Sequence, residues 1–364
     1  MVQIVHLIAA ARPNFMKVAP LYHALAAAPD FQPVLIHTGQ HYDANMSDTF
    51  FADLRLPAPD HHLGVGSGSH SEQTGTVMIA YEKVALAQRP DWLIVVGDVN
   101  STAACALVGA KLQIPVVHLE AGLRSFDRRM PEELNRLVTD QLSDVLWTPS
   151  PDGDENLQRE GIPAARITRV GNIMLDSYEL LRTAIEAENA PAAFGVTPRD
   201  YGLVTLHRPS NVDTPEALGA LVQALGQVAR RSRLLFPVHP RTARKLDDFG
   251  LRARLEAAGV TLTEPISYRP FMSLVSNARM VITDSGGVQE ETTYLNIPCL
   301  TLRENTERPV TVTEGTNRLI TPGGLLAAVE TVLAGGWPSG VRPALWDGQT
   351  ASRCVADLRA RSAA

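Results

Sequence analysis

Cysteine is scarce in this chain. Cys105, Cys299 and Cys354 are its only three. They are odd in number, far apart and never in CxxC spacing, so neither a disulfide framework nor a zinc site is indicated, and a reducing cytoplasm fits best. Basic charge is also short. The 33 Lys and Arg are outnumbered by 39 Asp and Glu, for a net charge of -6. No global positive field draws nucleic acid, so an anionic ligand must be held by a local cluster. No run approaches the roughly eighteen apolar residues of a membrane span. The opening "MVQIVHLIAAARPNF" has no basic leader and meets Arg12 and Pro13 early, so it reads as a first strand and not as a signal peptide. Cofactor signatures are missing too. "GVGSGSHS" carries Gly66 and Gly68 but has Ser71 where a third glycine of GxGxxG belongs. There is no Walker A motif and no spaced His/Cys/carboxylate set, so the expected cofactor and metal are none.

What is present is an alternation. Short β-branched runs, Ile4–Ile8, Val34–His37, Leu93–Val96, Val116–Leu119 and Val145–Trp147, alternate with amphipathic segments such as Met16–Ala27. The pattern resumes with Leu203–Leu206, Leu234–Val238, Val260–Thr263, Met280–Thr283 and Cys299–Leu302, with Pro215–Arg230 between. Runs this apolar suit parallel strands covered on both faces, and 364 residues suit about two domains. The expected fold class is α/β, with two doubly wound Rossmann-like domains facing a central cleft. The break is expected near a helix and Pro/Ala/Gly-rich segment, giving domains 1–171 and 172–347. The last helix, about 348–364, could pack on either and is placed back on the first.

Nearly every expected strand ends in polar residues, and in open α/β sheets ligands bind beyond the carboxyl ends of strands. "ITDSGGVQEE" (282–291) reads as strand, Ser285-Gly286-Gly287 turn and helix start. Its amides can approach a phosphate, and Glu291 a ribose, or it is simply a tight turn. "RENTERP" offers Arg308 to a phosphate, or forms a surface salt-bridge loop. "AARPNFMK" crowns a helix start with Arg12 and Lys17. In "VVGDVNST", Asp98 is either an N-cap or a base in a cleft. "TLHRPSN" sets His207 at a strand end. "HLEAGLRSFDRRMPEELNR" puts Glu120 at another strand end, and Glu132 and Glu133 in the first turn of a helix begun by Pro131. Those two acids are either catalytic or complements of the helix dipole, and Glu132 and Arg136 stand at i,i+4, where they can pair.

Together, "GDVNST", "HLEAGLRSFDRRMPEELNR", "LHRPSN", "DSGGVQEE" and "ERP" resemble, in order and spacing, the non-hydrolysing UDP-N-acetylglucosamine 2-epimerases. The resemblance runs from "ARPNFMKVAPL" to about Leu325. It implies a glycosyltransferase-B type fold, a UDP-sugar substrate, no nicotinamide or metal, and a homodimer. It implies Asp98, Glu120, Glu132 and His207 as catalytic. Arg12, Lys17, Ser285, Gly286, Gly287, Glu291 and Arg308 match nucleotide-sugar contacts, with Arg136 and Phe271 lining the site. Ala10 stands where the family has Gly, and Ser210 where Glu is common. "TGQHYDANMS" and "GSGSH" resemble relatives acting on diacetamido UDP-sugars, which makes such a uronate the alternative substrate.

The chemistry calls for these groups. C2 of a hexosamine neighbours no carbonyl, so its proton is barely acidic. Oxidation at C3 would need a nicotinamide cofactor. Eliminating UDP across C1–C2 to a 2-acetamidoglucal, then adding it back, needs cations and amides on the diphosphate and acid–base groups at C2. Rival readings are a hydrolysing epimerase, a glycosyltransferase of the same fold, and a non-catalytic nucleotide-sugar sensor. The carboxylate set argues against the last.

Overall fold

The structure is a computed structural model that describes residues 2–10, 12–39 and 53–363, without the side chains of Arg12 and Pro13. "HYDANMS" therefore lies outside the described residues, and of Arg12 only the backbone is described. The chain divides into two compact units, Met1–Leu181 with Ala344–Ala364, and Arg182–Pro343. The division falls inside the helix Ile173–Ala187.

The first unit holds a seven-stranded sheet of β1 (Gln3–Ala9), β2 (Phe31–His37), β3 (His61–His62), β4 (Trp92–Val96), β5 (Val116–Leu119), β6 (Val145–Thr148) and β7 (Ile167–Arg169), in the order β3-β2-β1-β4-β5-β6-β7. The second holds β8 (Tyr201–Thr205), β9 (Arg233–Pro237), β10 (Val260–Thr263), β11 (Met280–Thr283), β12 (Cys299–Thr301) and β13 (Asn317–Leu319), in the order β10-β9-β8-β11-β12-β13. Every pairing is parallel. The α/β reading with two parallel sheets holds.

Strand order reverses once in each sheet, between β1 and β4 and between β8 and β11. Connections leave to opposite sides there, which opens a crevice above the strand ends. The strands are buried on both faces, so they read as continuous apolar runs. In the first unit, Ile36, Leu93, Val95 and Val116 pack under Val77, Tyr81 and Ala85 of the helix His70–Ala87 and Ala104 and Val108 of the helix Asn100–Lys111. In the second, Leu218, Leu221 and Leu225 of the helix Pro215–Ala229 cover Val204, Phe236 and Ile282. Each such buried Leu, Val or Ile contributes about 1.5–3 kcal/mol. Among the described residues no helix is long and apolar enough to cross a membrane.

Three strands went unexpected: β3, β7 and β13 are two or three residues long, at or next to a sheet edge, and spell HH, ITR and NRL. A partly exposed edge strand needs no apolar run.

The last helix, Thr350–Ser362, belongs to the first unit, and polar groups fix it there. Asp176 accepts the Thr350 and Ala351 amides at 3.1 and 2.7 Å, satisfying the free N–H groups of its first turn. Asp357 accepts from Trp147 Nε1 at 2.7 Å and Thr168 Oγ1 at 3.0 Å. Gly171 lets the returning chain approach. Its φ is +97°, and a Cβ there would lie 2.2 Å from the Leu345 carbonyl oxygen. Gly171→Ala is expected to cost about 2 kcal/mol or more, since backbone strain and backbone overlap act together. A lowered urea midpoint measures it.

Candidate functional site

The first unit gathers charge where β1, β4 and β5 end. Lys17, in the second turn of the helix Arg12–Ala26, forms an ion pair with Glu120. Arg136 Nη1 lies 2.5 Å from Asp98 Oδ2. Each carboxylate thus has its own cation, which offsets the repulsion of two acids in one site. Glu120 is 5% exposed and Asp98 33%. Gly97 separates the pairs. Its φ is +68°, and a Cβ would crowd Lys17 Nζ at 3.3 Å and Glu120 Oε2 at 3.5 Å.

Glu120 is itself held at φ +72°, a conformation few side chains adopt. Its amide and that of Ala121 both donate to the Trp147 carbonyl, at 3.1 and 3.0 Å, so the end of β6 fixes the turn. Strain of this kind persists only where surroundings impose it, and it concentrates at functional sites.

Two local expectations change. Asp98 does not cap the following helix. Val99 is the N-cap, without a side-chain hydrogen bond, and the Asp98 carboxylate is taken by Arg136 instead. Arg136 pairs with Glu133 at 2.7 Å, not with Glu132. Glu133 is buried and also accepts the Ser125 amide, the Ser125 hydroxyl and the Phe126 amide, each at 2.9 Å. Burial works against its ionisation, but these donors and Arg136 hold its carboxyl below the usual range. Glu133 therefore ties the 125–126 loop to Arg136. Glu132 is exposed in the same first turn. Asp127 and Arg129 pair with each other on the surface at 2.8 Å.

The second unit builds its site above β8, β11 and β12. Asp284, fully buried at the end of β11, accepts the His207 amide at 3.0 Å, the Arg208 amide at 2.9 Å and the Asn211 amide group at 3.0 Å. His207 Nδ1 lies 3.1 Å from the same carboxylate. An ionised acid only accepts, so Nδ1 bears the proton there and Nε2 is the nitrogen available for proton transfer. Burial raises the Asp284 carboxyl, but His207 and Asn211 outweigh it and keep it below the usual range.

Ser285 then stands at the N-cap of the helix Gly286–Leu295, without a side-chain hydrogen bond to it. A Cβ on Gly286 would sit 2.8 Å from Arg308 Nη1, so glycine lets the guanidinium lie at the helix start. Arg308 Nε meets Glu290 at 2.5 Å. A Cβ on Gly287 would meet nothing within 4 Å, so the surface there is open. The helix dipole, free amides and Arg308 together favour an anion. One turn on, Glu291 is buried and accepts from the Tyr268 hydroxyl at 3.0 Å. Tyr268 and partly buried Phe271 share the helix Tyr268–Asn277.

With this geometry in place, comparison with known proteins is decisive. The family model described as UDP-N-acetylglucosamine 2-epimerase matches residues 23–359. The UDP-N-acetylglucosamine 2-epimerase of Methanocaldococcus jannaschii is 44% identical over 330 residues, 88% of this chain and 90% of that protein. This chain belongs to the UDP-N-acetylglucosamine 2-epimerase family.

Family members are isomerases, and the crystal structure of the M. jannaschii epimerase in complex with UDP-GlcNAc and UDP matches with a TM-score of 0.89 at 42% identity, over 98% of this chain and 99% of that one. A Pseudomonas aeruginosa relative, UDP-2,3-diacetamido-2,3-dideoxy-D-glucuronate 2-epimerase, is 39% identical over 314 residues, 85% of this chain and 86% of that protein. Phytolacca americana UGT2 shares the fold alone, with a TM-score of 0.57 at 14% identity over 98% of this chain and 93% of that one. The glycosyltransferase-B type fold and the epimerase resemblance both hold.

Of the expected site residues in this epimerase, the first unit brings Lys17 to Glu120 and Arg136 to Asp98. The second brings Ser285, Gly286 and Arg308 together, with Glu291 one turn along. It sets His207 on the neighbouring strand end. Asp284, Asn135, His118, Asp140 and Tyr268 are not among the expected site residues. Asp284 sits inside a quoted motif, at the end of an apolar run, which was the available signal. Asn135 and Asp140 stand five residues apart on the helix Pro131–Leu142, well apart around its axis, and carry no periodic signal of their own.

Burial, aided by Glu290, pushes the Glu291 carboxyl up to about 8 despite the Tyr268 hydrogen bond. Between its ordinary 4.5 and about 8 the folded state keeps a proton that the unfolded state has lost, so stability falls as pH rises through that window. Glu291→Gln is expected to flatten that decline, read as urea midpoints from pH 4 to 9.

Proposed function

We propose that this chain interconverts UDP-N-acetylglucosamine and UDP-N-acetylmannosamine by elimination and re-addition of UDP. The observation that carries the reading is the pair Asp98 and Glu120, each matched to a cation, at the ends of adjacent strands β4 and β5. A base takes the C2 proton. The C1–O bond breaks with its electron pair leaving on the UDP phosphate, and a C1=C2 double bond forms. A proton returns to C2 on the other face, and the phosphate oxygen attacks C1 to close the cycle.

In this proposal Asp98, Glu120 and Glu132 share the base and acid work, and His207 moves a proton through Nε2. Glu132 is exposed, so it acts once substrate covers it. The diphosphate is held by the Ser285, Gly286 and Gly287 amides with Arg308, and Glu291 takes the ribose. Arg136 and Phe271 line the site. Preorganised amides and cations stabilise the departing charge without reorganisation of solvent.

A second substrate is favoured by one observation, the 39% identity to the diacetamidoglucuronate 2-epimerase. Incubation with each UDP-sugar, followed by NMR, distinguishes them by which one approaches an epimer mixture. In D2O deuterium is expected at C2 during turnover; a product without it sinks the elimination route. Asp98→Asn and Glu120→Gln are each expected to lower kcat by about 100-fold or more. Wild-type turnover in both would overturn the assignment.

We place the enzyme in the cytoplasm as a homodimer. The three thiols are free and buried, as a reducing compartment permits. Ile79 and Leu86 on one helix and Leu134 and Val138 on another are exposed apolar side chains that a second copy can cover. Light scattering is expected to give twice the chain mass.

A further inference from the structure

Two backbone carbonyls flank the Asp98 side chain, and neither has a strand partner. The β4–β5 register ends at Val96 opposite Leu119, so the Gly97 and Asp98 carbonyls lie past the ladder. A carbonyl in such a place must find a donor elsewhere. Gly97 O is met by His118 Nε2 at 2.8 Å. Asp98 O is met by Asn135 Nδ2 at 2.9 Å. Both donors are side chains.

His118 is completely buried, two residues before Glu120 on β5. Its Nδ1 lies 2.6 Å from Asp140 Oδ1. The other Asp140 oxygen accepts the Gly122 amide at 3.1 Å and Arg124 at 2.7 Å. Burial alone would raise the Asp140 carboxyl, but His118 and Arg124 outweigh it and hold it below the usual range. A carbonyl and an ionised carboxylate can only accept, so both ring nitrogens donate. One ring thus joins the β4 loop at Gly97 to Asp140, and Asp140 joins the β5 loop at Gly122, two residues beyond Glu120. Asn135, one residue before Arg136, holds the other side of Asp98 and also donates to Asn100 Oδ1 at 3.2 Å.

We infer that His118 and Asn135 are positioning residues, which fix the Gly97–Asp98 backbone and so set the place of the Asp98 carboxylate relative to Glu120. The inference rests on the proposed role of Asp98 in proton transfer. Misplacement of a reacting group by an ångström costs turnover far more than binding.

The test uses the full chain, with whichever of the two UDP-sugars it epimerises. His118→Asn keeps a donor near the Nδ1 position, facing Asp140, and loses the reach to Gly97. His118→Gln puts its amide near the Nε2 position and keeps the Gly97 contact. Asn135→Ala frees the Asp98 carbonyl at a partly exposed site. We expect His118→Asn and Asn135→Ala to lower kcat about tenfold or more with KM within about twofold, and His118→Gln to stay within about threefold of wild type. A purely structural role would lower the melting temperature without separating kcat from KM or Asn from Gln. Wild-type kcat in folded His118→Asn and Asn135→Ala overturns the inference, as does a kcat that falls only in step with the folded fraction. If His118→Asn does not fold, Asn135→Ala decides by the same criterion. Asp98→Asn is assayed alongside. If it turns over normally, the role of Asp98 fails and this inference with it. If it is inactive while the positioning variants are normal, the inference alone fails.

Discussion

In a sheet whose strands all run the same way, every strand ends on the same edge, and each connection must cross back through a helix. Both sheets here are parallel throughout, and among the described residues their connections run through helices. Apolar residues fill the strands because helices cover both faces, and polar residues are confined to the edge where strands finish. At the reversal points beside β1 and β4, and beside β8 and β11, neighbouring connections diverge and leave strand ends uncovered. Lys17, Asp98 and Glu120 stand at the first, His207 and Asp284 at the second.

Each site is stiffened from below by buried charge. Asp284 collects four donors and holds His207 by both its backbone and its ring. Glu133 collects three donors from the 125–126 loop and then grips Arg136, which grips Asp98. A buried carboxylate left unpaired would cost several kcal/mol, so these acids are stable only in the arrangement that satisfies them. That requirement turns local hydrogen bonds into a fixed geometry for the exposed groups above. Glycine at 97 serves a φ of +68°, and at 286 it leaves room for Arg308, whose Nη1 would lie 2.8 Å from a Cβ.

The fold was largely legible because two periods are hard to confuse. Near-continuous apolar runs three to five residues long, separated by amphipathic segments, leave little besides a parallel α/β sheet. β3, β7 and β13 escaped, since edge strands lack the apolar signature. The site was legible where polar residues follow an apolar run directly, as at Asp98, Glu120, His207 and Ser285. One pairing is not legible where two acids stand side by side. Glu132 and Glu133 look alike in sequence, yet only Glu133 turns inward to meet Arg136 at i,i+3.

By itself the sequence determined the strand-and-helix alternation, the placing of polar residues at strand ends and the epimerase family, because these depend on local pattern and motif order. Only tertiary structure decided which cation neutralises which carboxylate, and that Asp98 pairs with Arg136 instead of capping a helix. It alone revealed Asp284 behind His207, and His118 and Asp140 between two loops. Lys17 and Glu120 are 103 residues apart in the chain, His207 and Asp284 77, and His118 and Asp140 22. They meet because the sheet brings separate strand ends together, and no short window of sequence records that encounter.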